Sequence, residues 1–170
     1  MISRILYSVI FFSLIYSNVG HLIFNRITIR PNEAELISIY NPTSENPVDL
    51  SNYYITDSNL YYNLPSGENF WSESIFDLII RFPDGYSIES GESIIIGISD
   101  DFADYYGYDP DLTLDDMRDV VDGESTIGIV AGLHDNNEIL MLFKWSGDSN
   151  DKVQDIDYFI WGNTNEAIDK

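Results

Sequence analysis

The feature that most constrains this chain is the pattern of residues 33–57, EAELISIYNPTSENPVDLSNYYITD. Glu35, Ile37 and Ile39 fall on one side of an extended segment, and Leu36, Ser38 and Tyr40 fall on the other. Asn41-Pro42-Thr43-Ser44 then fits a type I turn, with Pro42 supplying a preset φ at its second position. Val48 and Leu50 restart an alternation that continues through Tyr53, Ile55 and Asp57. The pattern predicts a β-hairpin inside an all-β domain.

The chain has 170 residues, enough for one domain and too few for two of ordinary size. Hydrophobic residues make up 44% of it, so it can close a packed core. Lys and Arg total 8 against 29 Asp and Glu, a formal net charge of −21. Such a balance repels phosphate backbones and anionic headgroups, so direct nucleic-acid binding is not expected. The excess reads either as a solubility device of a secreted protein or as a complement to a cationic partner. Cysteine is absent from the sequence, which removes disulfides, thiolate metal sites, a Cys nucleophile and a lipid-modified N-terminal Cys.

At the N-terminus Arg4 precedes an apolar run over residues 5–16, with Ser17 and Gly20 as small residues near a cleavage point. The run falls short of the roughly 20 residues that cross a bilayer, so residues 1–20 are expected to be a secretory signal peptide. The competing reading is an uncleaved anchor reaching Phe24, interrupted by Asn18 and His21. The domain itself is then residues 21–170, secreted or at the cell surface, with membrane attachment only if the leader stays.

Further along, residues 22–29 read as a strand with Ile23, Ile27 and Ile29 on one face and Leu22 and Phe24 on the other. Residues 58–75 read as a long loop with a short strand at 60–63. Its aromatics Tyr61, Tyr62, Phe70 and Trp71 either stack on sugar rings or cap the open end of a sandwich. Pro83-Asp84-Gly85 and Ser90-Gly91-Glu92 are turns, and residues 93–98 form an isoleucine-dense strand buried on both faces. A helical insertion is expected near residues 100–123. Ser99 or Asp100 caps its first helix, which Gly107 ends; Thr113 or Asp115 caps the second, which Gly123 ends. A turn at residues 135–137 leads to a strand over 138–145. After a loop, a last strand spans 153–162, with Ile156, Tyr158 and Ile160 opposing Asp157, Phe159 and Trp161.

Four blocks in order resemble the lamin-tail domain family, bacterial secreted type. They are Tyr40-Asn41-Pro42 followed by Val48-Asp49-Leu50-Ser51 and Thr56-Asp57; Phe82-Pro83-Asp84-Gly85 with its following strand; the acidic segment leading to Met117-Arg118-Asp119; and Gln154-Asp155-Ile156-Asp157-Tyr158 with Trp161-Gly162. The resemblance implies an immunoglobulin-like β-sandwich with a binding, anchoring or structural role. Asn25-Arg26 and Ser38 stand where the family carries carboxylates, so any role of those acids does not transfer. Relatives commonly continue beyond the segment matching residues 166–170, so the resemblance implies either a truncated reading frame or part of a longer protein.

The chemistry is sparse. Ser93, Ser125 and Ser149 each follow a Gly-x pair, but Ile95, Ile127 and Asp151 stand where a nucleophile elbow needs its second glycine. Besides His21 at the processing junction, His134 is the one imidazole, placed beside a turn, and zinc is not expected. Asp109, Asp111, Asp115 and Asp116, and separately Asp148, Asp151, Asp155 and Asp157, suggest weak calcium binding or a solvated acidic rim. No catalytic residue and no cofactor is expected. The sequence points to an exported, non-catalytic binding protein whose partner is a protein or a cell-surface polymer. The alternative is a carbohydrate-binding accessory module of a secreted hydrolase system, using Tyr61, Tyr62, Trp71 or Trp145.

Overall fold

A computed structural model of the chain describes residues 19–44, 47–71, 74–120 and 125–163. The leader up to residue 18, the Gly123-Glu124 pair and residues 166–170 lie outside them. Among the described residues no helix is long and apolar enough to cross a membrane.

The strands are β1 (Ile23–Thr28), β2 (Leu36–Tyr40), β3 (Val48–Asp49), β4 (Tyr53–Thr56), β5 (Ile79–Arg81), β6 (Ser87–Ile88) and β7 (Ser93–Gly97). After the α-helix α1 (Phe102–Tyr106) come β8 (Leu112–Thr113), β9 (Arg118–Asp119), β10 (Glu138–Lys144) and β11 (Gln154–Trp161). One sheet runs β1-β2-β7-β8 and a second runs β11-β10-β4-β5-β9, while β3 and β6 form a short separate ladder. Ile37 and Ile39 of β2 with Ile94 and Ile96 of β7 meet Ile55, Ile80, Leu140 and Leu142 of the second sheet in one buried cluster. The fold is an all-β sandwich. Period-2 alternation explains both layers: Ile55, Ile80, Leu140 and Leu142 face inward, while their neighbours Tyr54, Ile79, Met141 and Phe143 build another apolar cluster on the outer face.

That outer cluster is covered by the β4–β5 connection. The short strand expected at residues 60–63 is a 3₁₀ helix, Tyr61–Ser66, which sinks Tyr61 and Leu64 into the sheet surface and ends at Gly67 with φ +71°. Facing apolar residues on one side only, this segment gains more by laying two side chains on Phe143 and its neighbours than by pairing as a strand.

The predicted hairpin of residues 33–57 does not form. β2 pairs with β1 and β7, whereas β4 pairs with β5 and β10, so the Pro-bearing segment crosses between the two sheets. Asn41 decides the crossing. Its backbone N–H donates to Glu92 and its carbonyl accepts from Gly91, extending the β2–β7 side. Its side-chain amide donates to the Ile88 carbonyl at 3.0 Å, and its Oδ1 accepts from the Thr43 N–H and hydroxyl at 3.0 and 2.6 Å. A residue so tied cannot fold back into a two-strand turn.

Two bulges also change which residues face inward. Phe24 pairs with Ile39 and Ile27 with Ile37, so Asn25 is an extra residue. Leu22, Phe24, Ile27 and Ile29 therefore share the core side, rather than Ile27 and Ile29 siding with Ile23. In β11 the shift at Leu142/Phe143 does the same to Ile156, which packs with Trp161 on the inner cluster while Ile160 packs on the outer one. The Phe24 N–H donates to Asp157 Oδ2 at 2.8 Å, closing the seam between β1 and the β11 edge.

The helical insertion is shorter than expected. Asp101 stands at the N-cap of α1, without a side-chain cap bond, and Gly107 ends it at φ +76°. The second helix is one 3₁₀ turn, Leu114–Asp116, held by a capping box between Thr113 and Asp116. Met117 then turns extended, because Arg118 and Asp119 pair with Ile80 and Arg81.

Candidate functional site

The two ends of the β4–β5 connection are held by polar clamps. Thr56 Oγ1 donates to the Leu78 carbonyl at 2.8 Å, and Asp57 Oδ1 accepts the Leu78 N–H at 2.9 Å. On both sides of Leu78 the chain runs beside residues 126–132: Ile79 N–H donates to Thr126, Gly128 to Asp77, Val130 to Ile75 and Gly132 to Phe76. Gly128 is needed for this approach, since a Cβ there would lie 2.3 Å from the Ile75 carbonyl oxygen. Gly128→Ala is expected to destabilise the protein by about 1–2 kcal/mol, the order of an overpacked contact. An unchanged thermal melt would show that the two segments are not held together this closely.

This pairing carries apolar side chains to the surface. Ile75, Phe76, Ile129 and Val130 are 52, 62, 92 and 53% exposed. They form a ridge between three depressions. One, of about 560 Å³, is lined by Phe70, Trp71, Ile75 and Ile129 with Asn69, Ser74, Ser125 and Thr126. The second, of about 430 Å³, sets Phe76, Val130 and Leu133 against Glu35, Asp77, Asp135 and Glu138. The third, of about 420 Å³, lies beside Ile129 with Asp100 and Asp115 on its wall.

The electrostatics of this end are acidic. Burial pushes the Glu35 carboxyl above its ordinary range, opposed by the Leu133 N–H that donates to its Oε2 at 3.2 Å and reinforced by the charge of Asp135. Asp57 is pushed well above the ordinary range, first by burial, with the Glu138 and Asp77 charges adding to it. Its Oδ2 is buried without a hydrogen-bond partner. Asp135 Oδ1 accepts from Arg30 Nε at 2.5 Å.

His134 sits on the exposed turn that the sequence places there. Its Nδ1 accepts from the Asn136 and Asn137 N–H groups, both at 3.3 Å, and its own N–H donates to Glu138 Oε2 at 2.6 Å. The imidazole organises the turn into β10, beside the second depression.

The candidate sugar-stacking aromatics do not come together. Tyr61 is fully buried, its hydroxyl donating to Asp155 at 2.6 Å, and Trp145 packs on the outer cluster with its Nε1 donating to the Asp148 carbonyl. Tyr62 stands edge-on to Tyr61, while Phe70 and Trp71 share the first depression.

The acidic clusters are likewise dispersed by local bonds. Asp111 accepts from the Ile95 N–H, and Asp116 accepts from Thr113, whose N–H and hydroxyl hold its carboxyl below the usual range. Asp148 is lowered by the Asn150 N–H and side chain, Asp151 accepts from Ser146, and Asp157 accepts from Phe24. Among the described residues no group of three or more His, Asp or Glu is gathered to hold a metal ion.

No family model matches the chain, and no curated protein matches it. The site is therefore read from its own residues. Sequence reasoning passed over the ridge, because Ile75-Phe76 and Ile129-Val130 belong to no alternating pattern. The available signal was Gly128-Ile129-Val130-Ala131-Gly132, an apolar run bracketed by glycines where a loop is expected to be polar.

Proposed function

We propose that this chain is an exported, non-catalytic module with an immunoglobulin-like sandwich of lamin-tail type, which binds a protein or a cell-surface polymer outside the cell. The observation that carries the reading is the exposed ridge of Ile75, Phe76, Ile129 and Val130, set on a packed end of the sandwich. Contiguous apolar surface of this kind marks a contact site on a soluble protein. The −21 charge turns that site away from nucleic acid and anionic lipid.

Fractionation of cells producing the full chain tests this. The protein is expected outside the cytoplasm, trimmed near residue 21, and retained by the cell surface until high salt or detergent releases it. Intact chain beginning at Met1 in the cytosol would overturn it. The carbohydrate-binding reading is favoured by one observation, the depression where Phe70 and Trp71 meet Asn69, Ser74, Ser125 and Thr126. Retention on insoluble polysaccharide that Trp71→Ala abolishes would select it instead.

A further inference from the structure

We infer that the ridge docks a basic segment of a partner protein, in which an apolar side chain lies next to Lys or Arg. The inference rests on the binding-module reading above and names the surface and its partner.

The geometry has two parts that a single partner must satisfy together. Ile129, almost wholly solvated, and its neighbours Ile75, Phe76 and Val130 offer apolar area that gains from being covered. On its flanks the second depression places Glu35, Asp77, Asp135 and Glu138 within one hollow, and the third adds Asp100 and Asp115. Among the described residues no Lys or Arg lines either hollow; Arg30 pairs with Asp135 without lining it.

The hollow, of about 430 Å³, has room for a long cationic side chain. Phe76, Val130 and Leu133 offer apolar contact for the methylene stem, and Glu35, Asp77, Asp135 and Glu138 line the same hollow to meet the charged head. Phe76 adds a ring face for a guanidinium or ammonium group. An apolar residue beside that cation then covers Ile129 on the ridge.

Charge complementarity selects this occupant over others. A second copy would bring the same carboxylates face to face across a two-fold axis, and like charges so placed repel. Anionic lipid is repelled by the same field. A neutral polymer gains nothing from the acidic field of the hollow. A basic, apolar polypeptide meets both features.

The test titrates the ¹⁵N-labelled full chain with a synthetic peptide of alternating Leu and Arg, beside Ser–Arg and Leu–Glu peptides of equal length. Amide shifts confined to residues 75–77 and 127–138, with the Leu–Arg peptide at least about tenfold tighter than either control, are expected. Phe76→Ser with Ile129→Ser should weaken that binding about tenfold or more. The single Ile129→Ser, at a solvated side chain, keeps the test decisive should the pair fail to fold. Equal binding of the Leu–Arg and Ser–Arg peptides would reduce the effect to diffuse charge attraction and overturn the inference. So would shifts on another face, unchanged affinity in both variants, or a sedimenting dimer that protects the ridge amides. A chain retained at the cell surface that ignores all three peptides loses this site but keeps its binding role. A chain that never leaves the cytosol loses the broader reading instead.

Discussion

Asn41→Ala is expected to lower the unfolding free energy by about 2–4 kcal/mol, the range for breaking a buried hydrogen-bond network. The side chain is fully buried where the chain leaves β2 and crosses to the other sheet. Alanine removes the donor to the Ile88 carbonyl and the acceptor for both Thr43 groups. Ile88 is itself buried, so its carbonyl has no water to turn to. The melting temperature should fall by roughly 5–15 °C in circular dichroism at constant pH. Thr43→Ala removes one of the three bonds and should lose less than about 1 kcal/mol. If Asn41→Ala melts with the parent protein, the crossing is held by packing alone and the assignment of Asn41 is wrong.

Asp57→Asn should act in the opposite direction. Burial lifts the Asp57 carboxyl well above its usual range, and the charges of Glu138 and Asp77 lift it further. The sign follows from proton counting. As pH rises above the ordinary aspartate range, the unfolded chain releases this proton while the folded one keeps it. The folded state therefore binds more protons, and stability falls with rising pH until the folded group ionises as well. Asparagine keeps an acceptor for the Leu78 N–H and puts a neutral amide in place of the unpartnered oxygen. At neutral pH the variant should be more stable than the parent protein, because it removes the cost of keeping a buried carboxyl near other carboxylates. At pH values below the ordinary aspartate range the two proteins should converge. Urea titrations across pH measure both. A constant difference between them at every pH would remove Asp57 as the source.

Several structural elements were legible before any coordinates. Pro83-Asp84-Gly85 and Gly91 sit in turns for local reasons: Gly85 and Gly91 hold φ of +76° and +78°. Alternation placed β1, β2, β7, β10 and β11 within a residue or two of their observed bounds, and it did not mark β5, β6, β8 and β9. It failed where one residue was added to a strand, at Asn25 and near Ile156, because a bulge reverses every later face and leaves no compositional mark. It failed again at Thr113, where a capping box correctly started a turn that pairing of Arg118 and Asp119 with β5 then stopped.

The candidate site was harder to read for a related reason. Tyr61 and Trp145 look like ligand-binding aromatics in sequence, but only the sheet beneath them shows that they cover Phe143 and Tyr54. Ile129 and Val130 look like core residues, yet the core at that end is already filled by Leu78, Ile80 and Leu133.

By itself the sequence determined what depends on near neighbours. Alternation made the chain β, Asn, Asp, Gly and Pro set its turns, and composition made its surface acidic. Only the tertiary structure decided which strands share a sheet, which apolar residues are left outside, and which carboxylates crowd one hollow. Those outcomes depend on contacts between residues far apart in the chain, such as Asn41 with Ile88 or Ile75 with Val130. No local pattern encodes which distant partner a residue will meet, because several partners of equal chemistry compete and packing chooses among them.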